Sequence, residues 1–148
     1  MTAWELAEDG FDVTIVPDNA VGSLLSEGRC QKVLVGSDRV AGNGDVVNKV
    51  GTFQVAVAAK KFQIPFYVLV QEPGSTATGA EIPIEERDMQ EVLFYKGKRL
   101  YPEAVKGYYP AFDLTPARYV TRLISFGGII DPRELPQAWK KVQGAMRS

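Results

Sequence analysis

The stretch Val33 to Thr52, VLVGSDRVAGNGDVVNKVGT, limits what this chain can fold into more than any other. A short unbroken aliphatic run, Val33-Leu34-Val35, leads into a Gly-rich exit, a polar loop and a helix start at Gly51-Thr52. Such a run suits a strand covered on both faces, as in a parallel α/β sheet. Ligands of these sheets bind beyond the carboxyl ends of the strands. Gly36, Ser37, Asp38, Arg39, Asn43, Gly44, Asp45, Asn48 and Lys49 all fall there. The glycines let the backbone turn tightly and approach a ligand without a Cβ in the way. Any one of these polar residues fits a capped turn with a solvated charge. Crowded into one strand exit, they read as a site.

Chemistry at that exit is narrowed by composition. The 148 residues contain no histidine and one cysteine, which removes the commonest general base and excludes an internal disulfide. Carboxylates, Lys, Tyr, Ser, Thr and Cys30 remain, and Cys30, just ahead of the Val33 run, suits a small buried thiol. A hydrophobic fraction of 45% allows one domain, residues 1–148, with a proper core. Net charge of −1 leaves no electrostatic footprint for nucleic acid. No apolar run is long enough for a membrane span and no signal-peptide pattern opens the chain, so the expectation is a cytoplasmic protein.

The remaining segments alternate strand and helix. Thr2–Ala7 reads as a helix ended by Gly10, and Asp12–Val16 as a β-branched strand. Asp18 or Asn19 is placed to cap a helix that buries Val21, Leu24 and Leu25 and ends near Gly28. Phe53–Phe62 reads as a helix with Lys60-Lys61 at its favourable end, and Ile64–Val70 as the next buried strand. Gln71–Gly79 is a Gly/Ser/Thr/Pro loop at another strand exit, a mobile connection or a rim over the site. Glu81–Asp88 carries paired carboxylates beside Arg87, read as an ion-pair network anchored by Ile82 and Ile84. A strand over Glu91–Tyr95 and a turn at Lys96–Lys98 follow. Thr115-Pro116 is placed to start a helix reaching Gly127-Gly128 with Leu123 on its apolar face. Asp131–Met146 gives a last amphipathic helix with Trp139, Val142 and Met146 on one stripe. The fold class is α/β, doubly wound, with parallel strands near residues 12–16, 32–36 and 65–70.

Asp38, directly after a strand, is held rigidly enough for proton transfer. Asn48 and Lys49 precede the Gly51 helix, whose free N–H groups and dipole favour an anion. A carboxylate facing such a site, with amide and ammonium donors, suits a phosphorylated polyhydroxylated ligand. The spacing matches neither a Walker A loop nor a G-x-G-x-x-G turn, so nucleotide hydrolysis and dinucleotide binding lack support.

GSDRVAGNGDVVNKVGT resembles the signature of the S-methyl-5-thioribose-1-phosphate isomerase family, usually G-A-D-R-I-x-x-N-G-D-x-x-N-K-I-G-T. That family is related to ribose-1,5-bisphosphate isomerase and to the regulatory subunits of initiation factor two-B. TAWEL at Thr2–Leu6, IPIEERD at Ile82–Asp88 and PAFDLTPA at Pro110–Ala117 extend the resemblance over almost the whole chain. It implies a Rossmann-like three-layer domain with a mostly parallel sheet, cut short on its N-terminal side. It also implies conversion of a sugar 1-phosphate aldose to the ketose with no metal or organic cofactor. Asp38 then matches the acid/base, and Gly36, Asn48, Lys49 and Gly51 the substrate-binding set. The family's cysteine belongs to a strand-and-turn unit upstream of the position matching Met1, so the chain alone is expected to lack it. The thioribose substrate leads. Ribose 1,5-bisphosphate, 5-deoxyribose 1-phosphate and a non-catalytic regulatory subunit are the alternatives. The resemblance further implies a homodimer that engages neither nucleic acid nor membrane.

Overall fold

The two apolar runs at the centre of the chain pair side by side in a computed structural model that describes residues 2–71, 74 and 76–137. In chain order the elements begin with α1 (Thr2–Glu8), a 3-10 turn at Asp18–Ala20, and α2 (Val21–Ser26). They continue with β1 (Val33–Val35), β2 (Arg39–Val40), β3 (Val46–Lys49), α3 (Thr52–Lys61) and β4 (Phe66–Leu69). After a 3-10 turn at Gly79–Glu81 come α4 (Gln90–Leu93), β5 (Phe94–Tyr95), β6 (Lys98–Arg99) and β7 (Phe112–Thr115). A 3-10 turn at Ala117–Tyr119 then leads to β8 (Arg122–Ser125) and β9 (Gly128–Ile130).

The central sheet has the order β1-β4-β8-β9. β1, β4 and β8 are parallel and β9 folds back antiparallel on β8. Side chains alternate across a strand, so Val33, Val35, Phe66, Val68, Leu123 and Ile130 share one face. That face packs with Leu25 of α2 and Ala56 and Ala59 of α3 into the main core, and Cys30 lies against it. A second, antiparallel sheet has the order β2-β3-β7, and its β2 follows the exit of β1 in the chain. It directs Val46 into the main core and Val47 into a smaller cluster with Ala41 and Ile82. β5 and β6 form a separate hairpin, turned at Lys96-Gly97 with positive φ at both residues. Among the described residues, no helix is long and apolar enough to cross a membrane.

The α/β class with a mostly parallel sheet holds, as do the first helix, the helix after Gly51 and strands β1 and β4. Several local expectations do not. Asp12–Val16 pairs with no strand among the described residues, because a β-branched run becomes a strand only beside a partner. Neither Asp18 nor Asn19 makes a side-chain cap for α2. β1 is covered on one face only, with Leu34 exposed on the other. The segment between Arg39 and Lys49 is a hairpin rather than an open polar loop.

The helix expected after Thr115-Pro116 is instead a 3-10 turn followed by β8 and β9. Thr115 ends β7, so its Pro follows a strand, and Arg122–Ser125 pairs with β4 and β9, burying Leu123. Gln90–Leu93 is helical and only Phe94-Tyr95 is extended. The Glu81–Asp88 network reduces, among the described residues, to one exposed Arg87–Glu85 pair at 3.8 Å, while Ile82 does anchor the segment. In the last predicted helix Leu135–Gln137 are helical; Trp139, Val142 and Met146 lie outside the described residues.

Phe66 and Leu123 are the largest side chains sealed in the main core. Phe66→Ala is expected to lower the free energy of unfolding by about 3–5 kcal/mol, read as a reduced urea midpoint.

Candidate functional site at the strand ends

The predicted residues divide between two neighbouring places. Gly36 and Ser37 follow β1 directly, and the Ser37 hydroxyl donates to the Leu69 carbonyl at 2.9 Å, tying the ends of β1 and β4 together. With Leu69, Val70, Ile124 and Phe126 they line an open cleft of about 490 Å³ at the carboxyl ends of the parallel strands. Asp38, Asn48 and Lys49 stand at the mouth of the adjoining hairpin. The Asp38 N–H donates to the Val47 carbonyl at 3.0 Å. Since Arg39 pairs with Val47, the register sets Asp38 beside Asn48. The Asp38 and Lys49 side chains are exposed.

Asn48 and Lys49 are fixed by what surrounds the start of α3. The Asn48 amide donates to Thr52 Oγ1 at 3.0 Å, and that hydroxyl donates to the Lys49 carbonyl at 2.7 Å. The Lys49 ammonium lies 4.1 Å from the centre of the Phe112 ring, its register partner on β7. Gly51 precedes α3 with φ of 103°, a left-handed conformation that favours glycine.

The helix start itself is not free for a ligand in the way the sequence suggests. Asp113, on β7 opposite Asn48, accepts from the Gly51 N–H at 2.7 Å and from the Phe53 N–H at 3.1 Å. An internal carboxylate thus holds the anion position. Burial pushes the Asp113 carboxyl above its ordinary range, against the opposite pull of the Gly51 and Phe53 amides. The signal was present in PAFDLTPA, where a lone Asp sits between apolar residues, yet only the tertiary register pairs it with Gly51.

Asn43 and Asp45, part of the same polar stretch, serve the fold. Asp45 accepts from Asn43 Nδ2 at 2.8 Å, from the Ala117 N–H at 2.9 Å and from the Gly79 N–H at 3.3 Å. A Cβ on Gly79 would lie 2.7 Å from the Asp45 Cβ, so the close approach there needs glycine. A larger hollow of about 710 Å³ lies near the opposite ends of β4 and β8, lined by Lys60, Arg118, Arg122 and Arg133. There Asp131 is held well below the usual carboxylate range by Arg133, with Arg122 also near it. Of the polar residues of the strand exit, Asn43 lines this hollow, while Gly36, Asp38, Asn48, Lys49 and Gly51 do not.

Fold and site together define an α/β domain with a polar hairpin directly after the first strand of a parallel sheet. The chain belongs to the initiation factor 2 subunit family, whose model matches residues 1–132. It is 46% identical to a methylthioribose-1-phosphate isomerase of Pelotomaculum thermopropionicum, the match taking in 100% of this chain and 42% of that protein. Among solved structures it resembles 5-methylthioribose 1-phosphate isomerase from Pyrococcus horikoshii OT3, with a TM-score of 0.85 and 37% identity over 98% of this chain and 41% of that one. The delta subunit of translation initiation factor eIF-2B from A. fulgidus gives 0.80 and 41%, over 95% and 42%. The chain therefore spans about two fifths of the length of the relatives it matches.

Asp113→Ala should strip the two amides of their acceptor and cost about 1–3 kcal/mol at neutral pH. The folded Asp113 binds its proton more tightly than the unfolded chain does, so its contribution to stability falls as pH rises from the ordinary 3.8 through the raised value. Asp113→Asn should remove that decline from a stability–pH curve measured by denaturant titration.

Proposed function

We propose that this chain carries the strand-end half of an aldose–ketose isomerase site for sugar 1-phosphates. The reaction read here is S-methyl-5-thioribose 1-phosphate to S-methyl-5-thioribulose 1-phosphate, in methionine salvage. The observation that carries this reading is identity of 46% along the whole chain to a relative of that name. The chain forms the C-terminal, Rossmann-like part of such an enzyme, working as a homodimer in the cytoplasm.

In this reading Asp38 is the acid/base. It exchanges a proton with the ring oxygen and the neighbouring hydroxyl as the ring opens and hydrogen passes from C2 to C1. A carboxylate fixed through its own backbone to β3 keeps its position during that exchange. Lys49 supplies positive charge for the phosphate, and Asn48 holds a sugar hydroxyl. Gly36 and Gly51 let the backbone approach the ligand. Because Asp113 occupies the first amides of α3, the phosphate draws on Lys49 more than on the helix start. A second reading, a non-catalytic regulatory subunit, is favoured by the likeness to the delta subunit. Asp38 argues against it, since a carboxylate beside a phosphate weakens simple binding.

The test measures turnover of S-methyl-5-thioribose 1-phosphate by the chain supplied with the rest of a family protein. Asp38→Asn should lower kcat by about 10²–10⁴-fold while phosphate-ligand affinity holds or rises. Lys49→Met should weaken binding by roughly 1.5–3 kcal/mol. Intact turnover in Asp38→Asn with weakened binding would make Asp38 a hydroxyl-gripping residue. Absence of turnover on any sugar 1-phosphate would favour the regulatory reading.

A further inference from the structure

The larger hollow, of about 710 Å³, gathers positive charge that the chain as a whole does not have. Lys60, Arg118, Arg122 and Arg133 line it, and Asp131 is the one carboxylate among its described lining residues. The whole chain carries a net charge of −1. The fold sets the position of the hollow. Lys60 lies in the last turn of α3, while Pro65 precedes β4 and Thr121 precedes β8. These walls stand at the amino ends of two parallel strands, away from the carboxyl-end cleft lined by Gly36 and Ser37.

The cations are not spent on the fold. Lys60 and Arg118 make no ion pair and no side-chain hydrogen bond among the described residues. Arg118 is steered instead by the Tyr119 ring, whose centre lies 4.9 Å from the guanidinium carbon. Tyr119 is itself held edge-on against Phe53, with ring centres 5.4 Å apart. Arg122 uses Nη1 alone, donating to the Thr121 carbonyl at 2.6 Å and facing Asp131 at 3.2 Å. Its Nε and Nη2 have no acceptor among the described residues. Since Arg133 also pairs with Asp131, one carboxylate answers two of the four charges. The sequence beyond offers no balance: residues 135–148 include Lys140, Lys141 and Arg147 and no Asp or Glu.

Like charges gathered in a concavity repel one another and favour a bound anion. An arginine fork fits the oxygens of a phosphate better than a point charge does. Ile64, Pro65 and Val120 add an apolar wall beside the cations, the mixture that small-molecule pockets present. We infer that this hollow is a second ligand site, separate from the strand-end site, that takes a small phosphate ester. Lys60, Arg118 and Arg122 receive its phosphate, and Ile64, Pro65 and Val120 receive its apolar part.

Inorganic phosphate and phenyl phosphate are the probes, each titrated into the chain at an ionic strength held constant with sodium chloride. Saturable amide shifts are expected at residues 60–64 and 117–122, with phenyl phosphate bound at least about fivefold more tightly through the apolar wall. Lys60→Gln combined with Arg118→Gln should weaken that binding at least about tenfold. Both side chains are exposed, so the urea midpoint should not move. Lys49→Met should leave these shifts unchanged, which separates the hollow from the phosphate position proposed beside Asn48. The inference is overturned if no saturable shifts appear at these residues, if they survive the double substitution, or if Lys49→Met removes them. Shifts confined to the surroundings of Lys49 would support the strand-end site and overturn this one; shifts confined to the hollow would do the reverse.

Discussion

The Asp113 carboxylate is the joint on which the two halves of the site depend. It lies on β7, yet its oxygens are bonded to the amides that open α3. α3 packs its Ala56 and Ala59 into the main core under the parallel sheet. β7 meanwhile fixes β3 residue by residue, Asn48 opposite Asp113 and Lys49 opposite Phe112. One side chain therefore locks the antiparallel sheet to the helix that supports the parallel one. A slip of one residue between β3 and β7 would exchange the faces on which Asn48 and Lys49 lie and take the carboxylate from the helix start.

The sequence was most readable where local chemistry and tertiary role coincide. Val33–Val35 and Phe66–Leu69 are short aliphatic or aromatic runs that pair as parallel strands, and Gly51 ahead of Thr52 marks a helix start that the left-handed φ explains. Misreadings came where a residue serves two roles. Thr115-Pro116 has the composition of a helix start, but Thr115 is the last residue of a strand and is completely buried. Asp12–Val16 has the composition of a strand but no pairing partner among the described residues. Leu34 counted as core because an aliphatic run says nothing about which face is covered.

The site divides in the same way. Local pattern brought out Asp38, Asn48 and Lys49 as a polar group at a strand exit, and the hairpin register sets Asp38 and Asn48 side by side. It could not separate them from Asn43 and Asp45, which have the same chemistry but are spent on the fold. Nor could it bring forward Asp113, whose partners lie about sixty residues away. Polar residues in a loop reveal their employment only when their hydrogen bonds are followed across the chain.

Asp45 has a consequence for the order in which the molecule assembles. Its carboxylate joins segments 34 and 72 residues away in sequence, and Asp113 spans 62 and 60. Contacts of such separation form after the entropy of closing long loops has been met, so they belong to the slow end of folding. The helices α2 and α3 need only near neighbours in sequence and can form early. The β2–β3 pairing is itself local, so it is the tethers of the polar hairpin, not the hairpin, whose formation waits on closure of the rest of the chain.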